Sequence, residues 1–474
     1  MKQRIIHVSI LLIALLVSGS LHAQVPSPPR NMRIKSVEGT PVGPPGQFQW
    51  QSDIGSTQTS VISSYKLAAD ASGNVYMIGS FEGHIILGTA HLIGTGLANA
   101  FIAKFSPSGI PLWAKQIGNC YGRDIKVNSN GEVVILGYFQ GTMNFGAGTT
   151  PLTSNAGSYD IFIAKFSADW VHLWSKRYGG TGNEYGLALA LNQGSELFVT
   201  GYCDGLLDFG SGPLPSFGGY DMFLSKFSSS GGLSWVKRFG GPSTDFGWAV
   251  ATGPSDAVVI TGSFQGTANF SGLIMTSAGN FDIAAAKFFG DGSNPHVTRF
   301  GSTGEDRGQG VAIDGSGNIF LIGMFTDAVD FGSTRLTSFG RTDIFLTKLN
   351  AALAPDWSKG FGSSPGDNGY AVTVDRSGNV ILAGMVPGAV NFGDQWLPGA
   401  GNALCLAKFS NAGSHQWSMR ADSAHGNSEG WAVATDLSDN VYATGIFQYS
   451  VSFGGPTLTA TFGNTHGFLV KFGP

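Results

Sequence analysis

From residue 48 to residue 474 the chain alternates short apolar runs with polar, glycine-containing breaks. The runs hold four to eight residues and are rich in Val, Ile, Phe and Thr. They are too short for helices and predict β-strands separated by turns. One stretch predicts strands at Tyr370–Val374, Val380–Val386, Leu404–Phe409 and His415–Arg420. Asp375-Arg-Ser-Gly-Asn379, between the first two, has turn composition. The longer piece from Asn391 to the third strand carries Leu-Thr-Ser in other copies (Leu152–Ser154, Leu336–Ser338) and predicts a short added hairpin.

The pattern repeats. A glycine inside an apolar run recurs at Gly79, Gly137, Gly201, Gly262, Gly323, Gly384 and Gly445. A lysine near the end of a later run recurs at Lys104, Lys165, Lys226, Lys287, Lys348, Lys408 and Lys471. The spacing is 61 residues with small departures. A third landmark is Trp50, Trp113, Trp174, Trp235, Trp357 and Trp417, with His296 where the series skips one. The seventh copy has no tryptophan strand after Lys471, whereas an orphan one, Gln49–Gly55, precedes the first copy. An open solenoid has no need to move a strand from one end to the other. A closed ring does, because the first strand then completes the last unit and no long edge stays unpaired. The reading is an all-β, seven-bladed β-propeller of four-stranded blades over residues 48–474, closed by the strand around Trp50.

Composition agrees. Glycine contributes 71 of 474 residues and charged residues only 12%, which suits many turns and disfavours long soluble helices. Aromatics at 12% exclude a disordered chain. The net charge of −4, without clustered Lys and Arg, excludes a nucleic-acid footprint. Residues 1–23 read as a secretory signal peptide, with Lys2 and Arg4 before the apolar run Ile10–Val17. That run is too short to span a bilayer, and no other stretch would cross as a helix. The expected location is therefore periplasmic, cell-surface or extracellular. Residues 24–47, with six prolines, read as a linker or strap. Cys120, Cys203 and Cys405 sit in separate copies and read as buried free thiols.

The runs Gly430–Asp436 and Asn440–Gly445, with Gly308–Asp314 and Asn318–Gly323 and with Gly369–Asp375 and Asn379–Gly384, resemble the SBBP-type β-propeller repeat of exported bacterial proteins. The resemblance implies a secreted or surface-displayed propeller, often without an assigned reaction.

Candidate chemistry lies in recurring acids and in departures from the repeat. Glu184, Asp245, Asp306 and Asp367 recur every 61 residues before the first strand. Such a carboxylate ring would suit Ca²⁺ or paired acid chemistry on glycans; its structural reading is caps on turns. Asp70, Asp314, Asp375 and Asp436 open Asp-x-Ser-type turns, whose own backbone accounts for them. Asp160, Asp221, Asp282 and Asp343, with the seven lysines, read as polar staples. The first strand carries small residues where blades converge, such as Ala188, Ala249 and Ala432, but Lys66, Arg123, Asp124 and Lys126 break the rule in copies one and two. These charges select an anionic or polar ligand from the channel, or else Lys66 and Asp124 pair locally. Tyr65, Trp248, Tyr370 and Trp431 stand one position before the small residue and predict an aromatic channel mouth. No cofactor motif is present. The expectation is a non-catalytic scaffold binding an extracellular protein or glycan; the alternative is a secreted glycan hydrolase or lyase using channel-lining carboxylates.

Overall fold

The computed structural model describes residues 46–474, apart from 56–59, 95–98, 156, 365, 424–425 and 462–463, and without the side chains of Ser60, Val61 and Ser64. The expected signal peptide and nearly all of the proline-rich strap lie outside the described residues. Within them the fold is a seven-bladed β-propeller. In blade 3, strands Glu184–Leu191, Leu197–Cys203, Asp221–Phe227 and Leu233–Phe239 pair antiparallel in sequence order from the axis outward. The first strands of blades 1 to 7 are Ser60–Ala69, Cys120–Val127, Glu184–Leu191, Asp245–Thr252, Arg307–Ile313, Asn368–Val374 and Ser428–Thr435. Each touches the first strands of both neighbouring blades, and the seventh touches the first. The strands read from residues 370–420 form with ends shifted by at most two residues. The extra hairpin is present too, for example Thr267–Phe270 with Leu273–Thr276 in blade 4.

Closure follows the expected route. Phe48–Ile54 pairs antiparallel with Thr465–Phe472 as the outer strand of blade 7. Trp50 is buried there, and its indole N–H donates to the Pro107 carbonyl of blade 1 at 2.9 Å. The Ser52 hydroxyl donates to the Gly109 carbonyl, also in blade 1. One strand therefore completes blade 7 and fastens it to blade 1. The apolar core is divided the same way. Seven clusters of buried residues each draw on two adjacent blades, so there is one cluster per seam and the seam between blades 7 and 1 is like the rest.

The recurring glycine of the second strand has a steric cause. Each first strand bulges by one residue opposite it: the register slips between Gly186 and Ala188 in blade 3, and at the equivalent place in the other six. The bulge drives the Tyr185 carbonyl against Gly201, where a Cβ would overlap it. Only glycine fits.

The outer tryptophans lock the seams. Trp50 lies on Gly109 of the next blade, Trp174 on Gly231, Trp235 on Gly292 and Trp357 on Gly413. Each glycine has a positive φ in the turn between third and fourth strands, and a Cβ there would enter the indole. The seam between blades 1 and 2 departs from the series, since Trp113 meets Trp170 where the others meet a glycine, and the seam between blades 4 and 5 departs from it twice. His296 replaces the indole, and Leu353, buried at φ +61°, replaces the glycine beneath it. A cavity of about 430 Å³ lined by His296, Leu353 and Pro355 remains.

A compensating pair runs round the ring, where the third strand meets the fourth. Blade 1 has Asn99 with Gln116. Blades 2, 3 and 4 have Asp160–Arg177, Asp221–Arg238 and Asp282–Arg299. Blade 7 inverts the polarity, with His466 Nδ1 2.8 Å from Asp53 Oδ1. Asp53→Arg alone is expected to lower stability by about 1–3 kcal/mol, because a cation then faces His466. Adding His466→Asp should regain most of the loss, read as non-additivity of urea midpoints. Equal and additive losses would show that the pair carries no specific interaction.

Candidate functional site

The bulges leave one residue per blade out of the ladder register. These are Tyr65, Arg123, Leu187, Trp248, Gln309, Tyr370 and Trp431. All four aromatic residues expected at the channel mouth therefore lie in this set. Neighbouring bulges touch. Trp431 of blade 7 stacks on Tyr65 of blade 1, ring centroids 5.5 Å apart at 15°. The Arg123 guanidinium of blade 2 lies over the same Tyr65 ring at 4.3 Å. The Trp431 indole N–H donates to Glu429 Oε2 at 2.8 Å. The Trp248 N–H donates to the Ser263 hydroxyl at 3.1 Å. Burial raises the Tyr370 hydroxyl above the ordinary phenol range, helped by the charge of Glu429.

Around this mouth lies an aromatic arc that the sequence reading missed. Tyr121 and Tyr138 contact each other at 5.1 Å, Tyr138 reaches Tyr185 at 5.0 Å, and Tyr185 reaches Tyr202 at 4.8 Å. Tyr202 meets Phe246 at 4.8 Å and Trp248 at 6.2 Å. Tyr159, Tyr220 and Phe281 fill the outer side, and the Arg307 guanidinium closes the arc over Phe281 at 4.8 Å. Three positions of the repeat build it: the residue before the first-strand glycine, the residue after the second-strand glycine, and the residue before the third-strand acid. In blades 2 to 4 they hold aromatics at all but one place, Ser263; in blade 6 they hold Asn368, Met385 and Asn402. That contrast was visible in the aligned copies. Its meaning was not, because only the folded blades bring the three positions together.

The charges of blades 1 and 2 gather at the same mouth. Asp124 Oδ1 accepts from Lys126 Nζ and from the Ile125 N–H, both at 2.7 Å. Its Oδ2 accepts from the Leu189 N–H of blade 3 at 2.8 Å. The carboxylate is thus spent on its own blade and on stapling the next one. The expected direct pair between Lys66 and Asp124 is not formed; Lys126 takes that place. Lys66 lies deep among protein atoms with only partial solvent contact. Burial lowers its pKa, opposed by Asp124 and reinforced by Lys126 and Arg123. The Arg123 Nε is buried and has no hydrogen-bond partner.

The recurring acids Glu184, Asp245, Asp306 and Asp367 lie elsewhere. None has exposed surface, so none lines an open channel. Asp245 Oδ2 accepts from the Gly241 N–H at 2.9 Å; Asp306 and Asp367 accept from Ser302 and Ser363 at 2.8 Å. They cap the loops that link blades. Each raised pKa is due first to burial: Glu184 to about 9, and Asp245, Asp306 and Asp367 to about 7. A carboxyl group without access to substrate has no route to glycan chemistry. Asp70, Asp314, Asp375 and Asp436 accept backbone N–H groups of their own turns. Five of the seven third-strand lysines reach an acid at the turn between first and second strands, as in Lys408–Asp375 at 2.9 Å and Lys226–Glu196 at 2.8 Å, whereas Lys348 pairs with Asp356 and Lys287 donates to the Ala351 carbonyl. The three cysteines are free and buried. Among the described residues no group of three or more His, Cys, Asp or Glu converges to hold a metal ion. No described helix is long and apolar enough to cross a membrane.

Asp343 offers a test of this electrostatic frame. It is fully buried, but Gly360 stands where blades 2 to 4 place arginine, and its pKa rises to about 6 by burial. The cost of ionising it is absent below about pH 4, grows through the folded-state value and is complete above it, on the order of 3 kcal/mol. Gly360 is free of positive φ, and a Cβ there meets only Phe325 and Leu336 at 3.5–3.7 Å. Gly360→Arg is therefore expected to stabilise the fold by about 1–2 kcal/mol at pH 8 and scarcely at pH 4. Urea unfolding at both pH values measures it, and an equal gain at the two would mean that packing, not charge, is responsible.

No family model matches the chain. It is 24% identical over 414 residues to an uncharacterized WD repeat-containing protein of Acanthamoeba polyphaga mimivirus, covering 71% of this chain and 28% of the relative. It is 28% identical over 235 residues to the regulatory protein FlaEY of Caulobacter vibrioides, covering 47% of this chain and 24% of the relative. The chain thus spans about a quarter of the length of these curated relatives. Among solved structures, the β-propeller domain of the trilobed protease of Pyrococcus furiosus aligns with a TM-score of 0.43 at 10% identity, covering 85% of this chain and 95% of that one.

Proposed function

We propose that this protein is an exported interaction scaffold of the SBBP-repeat kind, non-catalytic, and that a protein partner docks on the ring face bearing the aromatic arc. One observation carries the reading: the arc breaks the sevenfold pattern. Features that serve the fold recur in nearly every blade, namely the second-strand glycine in all seven and the outer tryptophan in six. The arc aromatics of blades 2 to 4 do not recur in blades 5 to 7, so the frame does not require them.

The composition of the arc suits a protein partner. Tyr, Trp and Arg dominate the energetic centres of protein interfaces, where a large rigid surface is combined with a polar tip. Among the described residues the hydroxyls of Tyr121, Tyr138, Tyr159 and Tyr202 have no hydrogen-bond partner, and none of them is sealed from solvent. A sugar platform needs a free aromatic face. Here Tyr65 is covered by Trp431 and by Arg123, and Tyr138 meets the edges of Tyr159 and Tyr185. The relation to a WD-repeat protein agrees with an interaction role.

The test is a screen of the full chain against secreted proteins and glycans, followed by variants. Tyr185→Ala and Trp248→Ala are expected to weaken the partner at least about tenfold. Ser316→Ala, in a turn at the opposite end of the blades, should leave it unchanged. Binding that is indifferent to both arc variants would move the interaction surface off this face.

A further inference from the structure

The reading of the arc leaves two cations unexplained. Lys66 stands where blades 3, 4, 6 and 7 carry Ala188, Ala249, Ala371 and Ala432, and Arg123 stands where blade 3 carries Leu187. Neither substitution serves the frame, since five blades close without them. One carboxylate, Asp124, faces three cations: its charge acts on Lys66, while its oxygens accept from Lys126 and from the N–H groups of Ile125 and Leu189. Arg123 rests on the Tyr65 ring, and among the described residues no carboxylate lies within ion-pair distance of it or of Lys66. Withdrawing a cation from water without a counter-charge is costly, and a guanidinium is built for planar, two-oxygen recognition.

We propose that the protein partner of the aromatic face inserts an acidic side chain, Asp or Glu, at the channel mouth, where its carboxylate lies between Lys66 and Arg123. This rests on the reading of that face as an interaction surface. Tyr65, Tyr138 and Tyr202 surround the Arg123 guanidinium. The arc then supplies contact area and the cation pair selects the partner. A buried carboxylate–guanidinium pair enclosed by aromatic contacts is the arrangement in which charge adds most to specificity.

The test uses random twelve-residue peptides displayed on phage and selected on the full chain. Two variants restore residues that other blades carry at the same positions, Lys66→Ala and Arg123→Leu, so the frame is expected to tolerate them; thermal melting checks this. The expected result is a family of peptides sharing one Asp or Glu. Its replacement by Asn or Gln should weaken binding at least tenfold on the parent and leave it unchanged on the double variant. Peptides that need Trp248 but no acidic residue would overturn the cation site while leaving the interaction face standing. Binding of oligouronates in their place, sensitive to Arg123→Leu, would overturn the protein partner and this proposal together. Peptides indifferent to Trp248, Lys66 and Arg123 would overturn both readings.

Discussion

The structure depends on one close approach repeated seven times: a bulged first strand pressing its carbonyl against a glycine of the second. The bulge adds a residue that has no partner in the ladder. The glycine is the steric condition for it. Without the bulge the first strand would alternate regularly and its side chains would all belong to seams between blades. With it, each blade keeps a packed seam and also owns one position at the channel mouth. The candidate site is built from those positions and their immediate neighbours.

The seams show how the frame tolerates change. Where an indole is lost at His296, the glycine beneath it has become Leu353. Where Asp is replaced by Asn99, the arginine opposite is Gln116. At the closing seam the charges are exchanged outright, between His466 and Asp53. At these places a buried polar or bulky group is matched by its neighbour, because an unmatched one costs kilocalories. Asp343 opposite Gly360 is an exception, and burial without the arginine raises its pKa.

Much of the fold was legible from residue spacing. Seven copies, four strands, the added hairpin and closure through Trp50 all follow from landmarks that every copy must keep. Tyr65, Trp248, Tyr370 and Trp431 could be picked out from the sequence because they stand beside the small residues. The rest of the arc could not. Tyr121, Tyr138 and Tyr159 are 17 and 21 residues apart in sequence, and each alone looks like an ordinary strand aromatic. Only the antiparallel pairing of first, second and third strands places them side by side. The pairing of Asp124 was misjudged for a similar reason. Its nearest cation is two residues along its own strand, and its second contact is a backbone N–H, which no side-chain pattern reveals.

The added residue in each first strand has a wider meaning. It lies outside the hydrogen-bond ladder, so exchanging it leaves the ladder intact. Leu, Gln, Arg, Tyr and Trp all occupy it within this one chain. A ring built in this way works like a combination lock whose casing stays shut while the dials turn, although neighbouring dials such as Trp431, Tyr65 and Arg123 are in contact and turn together.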